Sequence, residues 1–289
     1  MRVATVLVLV WSLAAPRAAQ ATVPVTGPAP RKLAVVPFYA PEQMWRLYAP
    51  FVDFLRRETG EPWELALHPT HDALIEEFCA GRVDVALLGP MPLARVAKRC
   101  GGVPVLVALG PTSTPTYRSV LLTTDPAVSS VPALRGKGVG FFRGSTAAHV
   151  VPMKMLEDAG LPPGTYKPVF LESQDRLVAA LLAGKISAAG VKSALYQRVE
   201  KEPGLRALAT SGPLPNFSFA ALPALPAATR ERFTAALLAL RPRSRSEDAE
   251  AVKGWDDEIR HGFARPTPEH LAAVLELQEI TERLLDAAH

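Results

Sequence analysis

The sequence predicts an α/β protein of two similar lobes, each a mostly parallel sheet flanked by helices. Apolar stretches of strand length alternate with amphipathic stretches of helix length over residues 32–110, and the alternation restarts at residue 137. Alternation at this short period is typical of parallel sheets covered by helices on both faces. Extended links near residues 110–120 and 210–222 join the two regions. We therefore expect two hinge strands between the lobes, a design that closes around ligands.

Four strands and three helices alternate in the first unit. In residues 44–60, Trp45, Tyr48, Val52 and Leu55 recur at helical spacing, and Gly60 ends this predicted helix. The predicted strands are KLAVVP (32–37), PWELALHP (62–69), RVDVALLG (82–89) and VPVLVALG (103–110). The other predicted helices are THDALIEEFCAG (70–81) and PMPLARVAKRCGG (90–102).

The second unit repeats this alternation and closes with a strand. Its predicted strands are KGVGFF (137–142), YKPVFL (166–171), ISAAGV (186–191) and LRALAT (205–210), and its helices are STAAHVVPMKMLEDAG (145–160), SQDRLVAALLAGK (173–185) and SALYQRVEKEPG (193–204). The run SGPLPNFSFAALPAL (211–225) carries three prolines, so we expect a connecting segment there. Residues 227–289 are predicted to be helical and to fold back onto the first lobe.

Residues 1–21 have the features of a secretory signal peptide. Arg2 precedes an apolar run from Val3 to Ala15, and Ala19-Gln20-Ala21 fits an A-x-A cleavage site. The alternative, an uncleaved membrane anchor, needs a longer apolar run. We expect a soluble, exported protein that acts as a monomer. The predicted division is a signal peptide (1–21), a linker (22–31), lobe 1 (32–111 plus 216–289) and lobe 2 (112–215).

Charge and motif content exclude several classes of function. The chain has 32 basic and 28 acidic residues, and cleavage of the signal peptide would remove two of the basic ones, Arg2 and Arg17. Lys and Arg are scattered, so we expect no nucleic-acid partner. The G-x-S-x-G, H-E-x-x-H and P-loop motifs and metal-spaced histidines are missing from the sequence. We expect no catalytic residues, no metal and no cofactor, and an exported enzyme on the same fold is the alternative of a different class.

Ligands of open α/β sheets bind at the carboxyl ends of the strands, in the loops that lead into helices. These loops are small, polar or aromatic in both units, as a small polar ligand requires. Ser145 and Thr146 open a helix, whose free N–H groups attract anions, although Ser145 could be only the helix cap. The candidate ligand-binding residues are Tyr39, Pro90, Met91, Tyr117, Ser145, Thr146, Ala147, His149, Glu172, Gln174 and Asp175.

Four of these candidates have an alternative role. Tyr39 could pack on the following helix instead of touching a ligand. His149 could face the cleft or solvent, and solvent is the expected case. Glu172 and Asp175 could be an acid pair that holds a cation or a protonated ligand hydroxyl. Acids at a helix start also favour the helix dipole, so capping is the expected role of Asp175.

Cys79 and Cys100 both lie at the carboxyl ends of predicted helices. This position puts them at the pole of the sheet opposite the proposed cleft. Two cysteines in an exported chain favour a disulfide, and capture of a metal or arsenic by both thiols is the alternative.

Four segments carry a family resemblance when taken in order. They are VDVALLGP (83–90), VPVLVALGPTSTPTYRSVLLT (103–123), ALRGKGVGFFRGSTAAHVVPMKML (133–156) and FLESQDRLVAALLAGKISAAGV (170–191). Together they resemble the phosphonate/phosphite-type periplasmic substrate-binding proteins of ABC transporters. The likeness covers residues 32–222 and is most specific in the third segment. It implies the type II periplasmic-binding fold.

The resemblance also implies site residues. It assigns the family's oxyanion grip to Ser145, Thr146 and Ala147, of which Ala147 keeps only the backbone N–H, and the first-lobe aromatic to Tyr39. The departures from the family pattern are Leu93, Gln174 before Asp175, and Gly184-Lys185-Ile186-Ser187. These departures fall in the part of the site that reads the ligand's substituent.

The family binds small tetrahedral phosphorus oxyanions between its lobes, and relatives sense or carry other oxyanions, arsenite among them. The resemblance therefore implies a periplasmic protein that captures a phosphonate, phosphite, phosphate or similar oxyanion for the membrane permease of an ABC transporter. Because of the departures, we expect a small bare oxyanion rather than an aminoalkyl phosphonate. The alternative is a sensor, of arsenite for example, that reports to a membrane histidine kinase.

Overall fold

A computed structural model describes residues 29–37 and 39–286. The predicted signal peptide and most of the predicted linker lie outside the described residues. The strands are β1 (Arg31–Val35), β2 (Trp63–Ala66), β3 (Val85–Leu88), β4 (Val103–Ala108), β5 (Thr116–Tyr117), β6 (Ser119–Thr123), β7 (Gly138–Phe142), β8 (Lys167–Leu171), β9 (Ala188–Lys192), β10 (Arg206–Thr210), β11 (Leu214–Pro215), β12 (Ser218–Ala221) and β13 (Phe263–Ala264). The α-helices are α1 (Pro41–Thr59), α2 (His71–Cys79), α3 (Pro90–Cys100), α4 (Val151–Asp158), α5 (Gln174–Leu182), α6 (Ser193–Val199), α7 (Ala227–Leu238), α8 (Ser246–Ala251) and α9 (Pro268–Asp286).

The first lobe is built on a six-stranded sheet with the order β13-β4-β12-β3-β1-β2. β1 runs parallel to β2 and β3, whereas β12 lies antiparallel between β3 and β4. The sheet is therefore mixed, which differs from the mostly parallel sheet that the sequence predicts. The reason is that β12 belongs to the chain as it returns from the second lobe. The predicted connecting segment 211–225 thus contains a central strand, SFAA, which lies between its prolines.

The second lobe is built on a five-stranded sheet with the order β10-β6-β9-β7-β8. β7 pairs in parallel with β8 and β9, and β6 runs antiparallel to β9 and β10. A separate antiparallel pair, β5 with β11, lies where the chain passes between the two sheets. The predicted two-lobed α/β fold with two linking strands is confirmed, and both sheets are mixed.

Aromatic packing fastens the C-terminal region to the first sheet. α1 buries Tyr48, Phe51 and Leu55 on its inner face. Phe51 stacks on Phe219 of β12 with ring centroids 5.6 Å apart and meets Trp255 edge-on at 4.9 Å. α7 packs on α1, and α9 packs on α3. β13 interrupts residues 227–289, which the sequence predicts to be helical. Within residues 29–37 and 39–286, none of the helices has the length and hydrophobicity needed to cross a bilayer.

Cys79 and Cys100 are joined by a disulfide, with their Cα atoms 5.4 Å apart. Each residue ends its helix, α2 or α3. Because both helices start at the carboxyl ends of strands, the bond lies at the far pole of the sheet from those strand ends. It leaves no free thiol in the protein.

Candidate functional site

The turn after β7 brings the second lobe against the first. Gly144 has φ 78°, in the left-handed region that favours glycine. A Cβ on Gly144 would lie 3.6 Å from the Cβ of His71, which belongs to the first lobe. Ser145 then leads into a π-helical turn, Thr146–Val150, that continues as α4. Such turns are frequent at functional sites.

Two backbone donors at this turn have no acceptor in the described part of the chain. The Ser145 Oγ accepts a hydrogen bond from the N–H of Ala148 at 3.2 Å, so Ser145 is a helix cap. The N–H groups of Thr146 and Ala147 have no such partner. Ser145, Thr146 and Ala147 are all buried. Since an unpaired buried donor costs free energy, these amides are suited to hold an acceptor from outside the chain.

The first lobe contributes the start of α3. The N–H of Met91 donates to the Thr146 Oγ1 at 3.1 Å, in a buried hydrogen bond that joins the two lobes. The side chain of Met91 points elsewhere, because its Sδ accepts from the Thr281 hydroxyl at 2.7 Å. Pro90 is buried in the first turn of α3. Pro90 and Met91 therefore position backbone at the site, and the Met91 side chain packs on α9.

Tyr117, on the outgoing link, adds an unpaired hydroxyl. The residue is 7% exposed, and burial raises the pKa of its phenol well above the usual range. Its hydroxyl lies beside Thr146 and makes no hydrogen bond of normal geometry among the described residues. A cavity of about 20 Å³, which we name the donor cavity, is lined by His71, Gly89, Pro92, Tyr117, Phe142, Gly144, Ser145, Thr146, Ala147, Gln174, Lys192 and Phe217.

Lys192 ends β9 and also borders the donor cavity. It is 6% exposed. Its Nζ pairs with the carboxylate of Glu258 and donates to the Asn216 Oδ1 at 3.0 Å. The same Nζ lies 4.5 Å from the ring centroid of Tyr117 and 4.3 Å from that of Phe217. Burial lowers the pKa of Lys192, and Glu258 opposes that shift.

Acidic residues of the first lobe face Lys192. Asp256 accepts from the Tyr48 hydroxyl at 3.2 Å, and burial raises the pKa of its carboxyl to about 6. The hydrogen bond from His261 is the main reason that the pKa of Asp257 falls to about 2. A larger, solvent-open cavity of about 340 Å³ has Lys192, Asp257 and Glu258 in its lining and meets the donor cavity at Tyr117 and Lys192.

The sequence over residues 33–271 matches the family described as ABC transporter, phosphonate, periplasmic substrate-binding protein. The chain belongs to this family. Its members are the periplasmic components of ABC transporters, and they bind small ligands.

Solved structures agree with this family in fold. One is a binding protein component of an ABC phosphonate transporter from Pseudomonas aeruginosa, with 15% identity, a TM-score of 0.77, and coverage of 90% of this chain and 88% of that one. PhnD1 from Prochlorococcus marinus, in complex with methylphosphonate, has 14% identity and a TM-score of 0.76 and covers 88% and 98% of the two chains. The aliphatic sulphonate binding protein SsuA from Escherichia coli has 17% identity and a TM-score of 0.65 and covers 91% and 95%. At these identities the likeness shows the type II periplasmic-binding fold.

Some of the predicted residues line a second small cavity next to the donor cavity. Tyr39 is half-buried and contacts Arg198, and the two line this cavity with Gln174 and Asp175. The Gln174 Oε1 accepts from the backbone N–H of Lys192 at 2.7 Å. Gln174 thus belongs to both small cavities.

The predicted acid pair does not form part of the donor cavity. Ser173, rather than Asp175, caps α5, because its hydroxyl accepts from the N–H of Arg176 at 3.2 Å. Asp175 is exposed on the first turn of α5. Glu172 is exposed in the turn between β8 and α5 and lies outside the three cavities around Lys192.

His149 lies neither in solvent nor in the donor cavity. It is 3% exposed, between the rings of Phe141 and Phe170 at 5.8 and 5.4 Å. Its Nδ1 accepts from the N–H of Gly144 at 3.3 Å, and burial lowers its pKa to about 4. The expectation of a solvated histidine is wrong, because these rings and this hydrogen bond hold the imidazole inside the second lobe.

Sequence reasoning did not name two charged or titratable side chains of the donor cavity, those of His71 and Lys192, as ligand-binding candidates. His71 follows β2 and packs edge-on against Phe142 of the other lobe at 5.2 Å, and burial lowers its pKa to about 4. It is the first residue of α2, directly after a strand-to-helix loop, so the rule that selected the other loops would also have pointed to it. Lys192 ends β9, just before α6, but a lysine there looks solvated until Glu258, 66 residues away in sequence, is brought beside it.

Proposed function

We propose that this protein captures a small oxyanion, such as a phosphonate, phosphite or phosphate, in the donor cavity. The observation that carries this proposal is the set of three donors without acceptors there: the N–H groups of Thr146 and Ala147 and the buried hydroxyl of Tyr117. A hydrogen bond to a charged acceptor contributes about 1.5–3 kcal/mol. A set of unpaired donors favours an acceptor-only ligand such as an oxyanion.

The electrostatics of the cavity support an anion. The helix that begins at Thr146 directs its N-terminus toward the cavity, and the start of α3 approaches from the other lobe. The cavity of about 20 Å³ has room for about one water molecule. A phosphonate is larger, so its entry requires the lobes to part at the hydrogen bond between Met91 and Thr146. Closure by hinge motion then buries the ligand.

The biological role follows from family membership and from this cavity. Similar folds occur in proteins whose structures were solved with methylphosphonate bound or that bind aliphatic sulphonates. We propose that the mature protein acts in the periplasm after removal of residues 1–21. It passes its ligand to the membrane permease of an ABC transporter and leaves that ligand chemically unchanged.

The test is calorimetric titration with methylphosphonate, phosphite, phosphate, sulfate and arsenite, on the wild type and on Tyr117→Phe and Thr146→Ala. We expect each variant to lose about tenfold to a hundredfold in affinity for the best ligand, because each loses a hydroxyl of the donor cavity. The matched control is Tyr166→Phe, since Tyr166 is a buried tyrosine that packs on Phe141 outside the cavity.

Equal affinity of wild type, Tyr117→Phe and Thr146→Ala for that ligand would refute the site. Phosphorus NMR of bound and recovered ligand separates a binding protein from an enzyme. An altered ligand spectrum after incubation would overturn the proposal that no reaction occurs.

A further inference from the structure

The side chain of Lys192 ends in a cage made by the protein itself. We name this the Lys192 cage: the rings of Tyr117 and Phe217 at 4.5 and 4.3 Å from Nζ, the Asn216 Oδ1 at 3.0 Å, and the carboxylate of Glu258. Its members come from the two links and the C-terminal region, whereas Lys192 comes from the second lobe. The ammonium group therefore crosses the cleft to reach its partners.

The chemistry of the Lys192 cage is that of a receptor for an alkylammonium ion. Aromatic faces attract a cation through their quadrupoles, and they do so most strongly where water is excluded. A carboxylate balances the charge, and an amide oxygen accepts one of the N–H donors. With Lys192 only 6% exposed, the chain's own primary ammonium occupies this receptor.

The Lys192 cage is continuous with the donor cavity. Tyr117, Phe217 and Lys192 line that cavity and also form the cage with its occupant. A ligand whose oxyanion lies against Thr146 and Ala147 shares this small cavity with Lys192, so its substituent lies within reach of the lysine. An ammonium group on that substituent would meet a like charge, and Glu258 is already paired.

We propose that Lys192 fills an ammonium subsite from within and thereby sets the ligand class: oxyanions with no cationic group bind, and zwitterionic aminoalkyl phosphonates are rejected. The oxyanion half of this statement rests on the proposed function, whereas the cage is an independent feature. Removal of the lysine side chain should convert the subsite into a vacant receptor for a ligand ammonium.

The first experiment compares Lys192→Ala, which empties the cage, with Lys192→Met, which keeps it filled without a charge. Calorimetry is performed with methylphosphonate and 2-aminoethylphosphonate. The wild type should prefer methylphosphonate, and Lys192→Ala should gain at least about tenfold in relative affinity for 2-aminoethylphosphonate, which Lys192→Met should not. A wild type that prefers 2-aminoethylphosphonate, or an equal gain in both variants, would overturn the proposal.

The second experiment does not depend on oxyanion binding. The thermal midpoints of the three proteins are measured in methylammonium chloride and in sodium chloride at equal concentration. Methylammonium should raise the midpoint of Lys192→Ala specifically, because it replaces the missing ammonium beside Glu258. If Lys192→Ala does not fold alone, its refolding yield with each salt is the readout. No difference between the two salts overturns the cage, whereas failure of every oxyanion to bind the wild type overturns only the proposed function.

Discussion

The donor cavity and the Lys192 cage are neighbours in one cleft, but their polar groups are in opposite states. In the donor cavity, two amides and a phenol hydroxyl have no acceptor among the described residues. In the Lys192 cage, the cation has a carboxylate, an amide oxygen and two aromatic faces. Buried polar groups need hydrogen-bond partners. A site with unpaired donors is therefore suited to a ligand from outside, whereas a site whose groups are all paired is already filled by the protein. In our proposal, the donor cavity binds the oxyanion and the Lys192 cage selects which oxyanion binds.

Of the changes predicted here, removal of the Glu258 carboxylate from the Lys192 cage should lower the free energy of unfolding the most. Glu258→Ala leaves a buried ammonium without its counter-charge, and such losses cost about 3–5 kcal/mol. Urea unfolding of this variant is compared with that of Lys98→Ala, which breaks the exposed pair between Lys98 and Glu282 and should cost at most about 1 kcal/mol. Similar losses in the two variants would mean that the cage is no more buried in solution than a surface ion pair.

The disulfide lies at the pole of the first sheet opposite the cleft. Its removal therefore tests whether that pole affects the donor cavity or the Lys192 cage. Reduction, or replacement of Cys79 and Cys100 by serine, should lower the free energy of unfolding by about 3 kcal/mol, because the bond closes a loop with a sequence separation of 21. Mass spectrometry of the oxidised protein should show the crosslinked peptide. Methylphosphonate affinity should not change, because the bond lies opposite the cleft. A tenfold loss of affinity on reduction would contradict that separation.

Two buried histidines allow the donor cavity to be compared with the interior of the second lobe, because His71 lines the cavity and His149 does not. His71 and His149 each have a pKa of about 4 in the folded protein, against about 6.5 when unfolded. The unfolded chain therefore binds more protons between these values, and stability falls as pH decreases from about 6.5 to 4. At pH 5 each histidine should cost about 2 kcal/mol relative to pH 7.

Urea unfolding at pH 5 and pH 7 on His71→Phe and His149→Phe measures this effect, and each variant should lose part of the pH dependence. Only His71→Phe should alter methylphosphonate affinity, because His71 lines the donor cavity and His149 does not. An equal change of affinity in both would place His149 in functional contact with the ligand.

The carboxyl-end rule predicts the region of the site from sequence because it depends only on local alternation and chain direction. It selects Ser145 and Thr146, which the structure brings to the donor cavity with Tyr117. It does not reveal the direction of a side chain, so it also selects Glu172, which is exposed. Which of two loop residues faces the cleft depends on the exact turn, here a π-helical turn.

The order of strands in the first sheet is another feature that local sequence does not predict. Prolines around Phe217 suggest a link, yet β12 occupies the centre of the first sheet between β3 and β4. The prolines lie outside this strand, so they interrupt none of its pairing, and composition alone misleads.

Local periodicity, turn residues and helix starts determine by themselves that this protein has two α/β units, two links and an anion-attracting turn at Ser145, since each of these features involves residues near one another in the chain. Only the tertiary structure decides that Lys192 meets Glu258, that Tyr117 keeps a hydroxyl without a partner, and that Met91 contacts Thr146. Those states depend on groups from distant segments that must share one buried volume, and whether a buried polar group finds a partner is settled only when the lobes close around it.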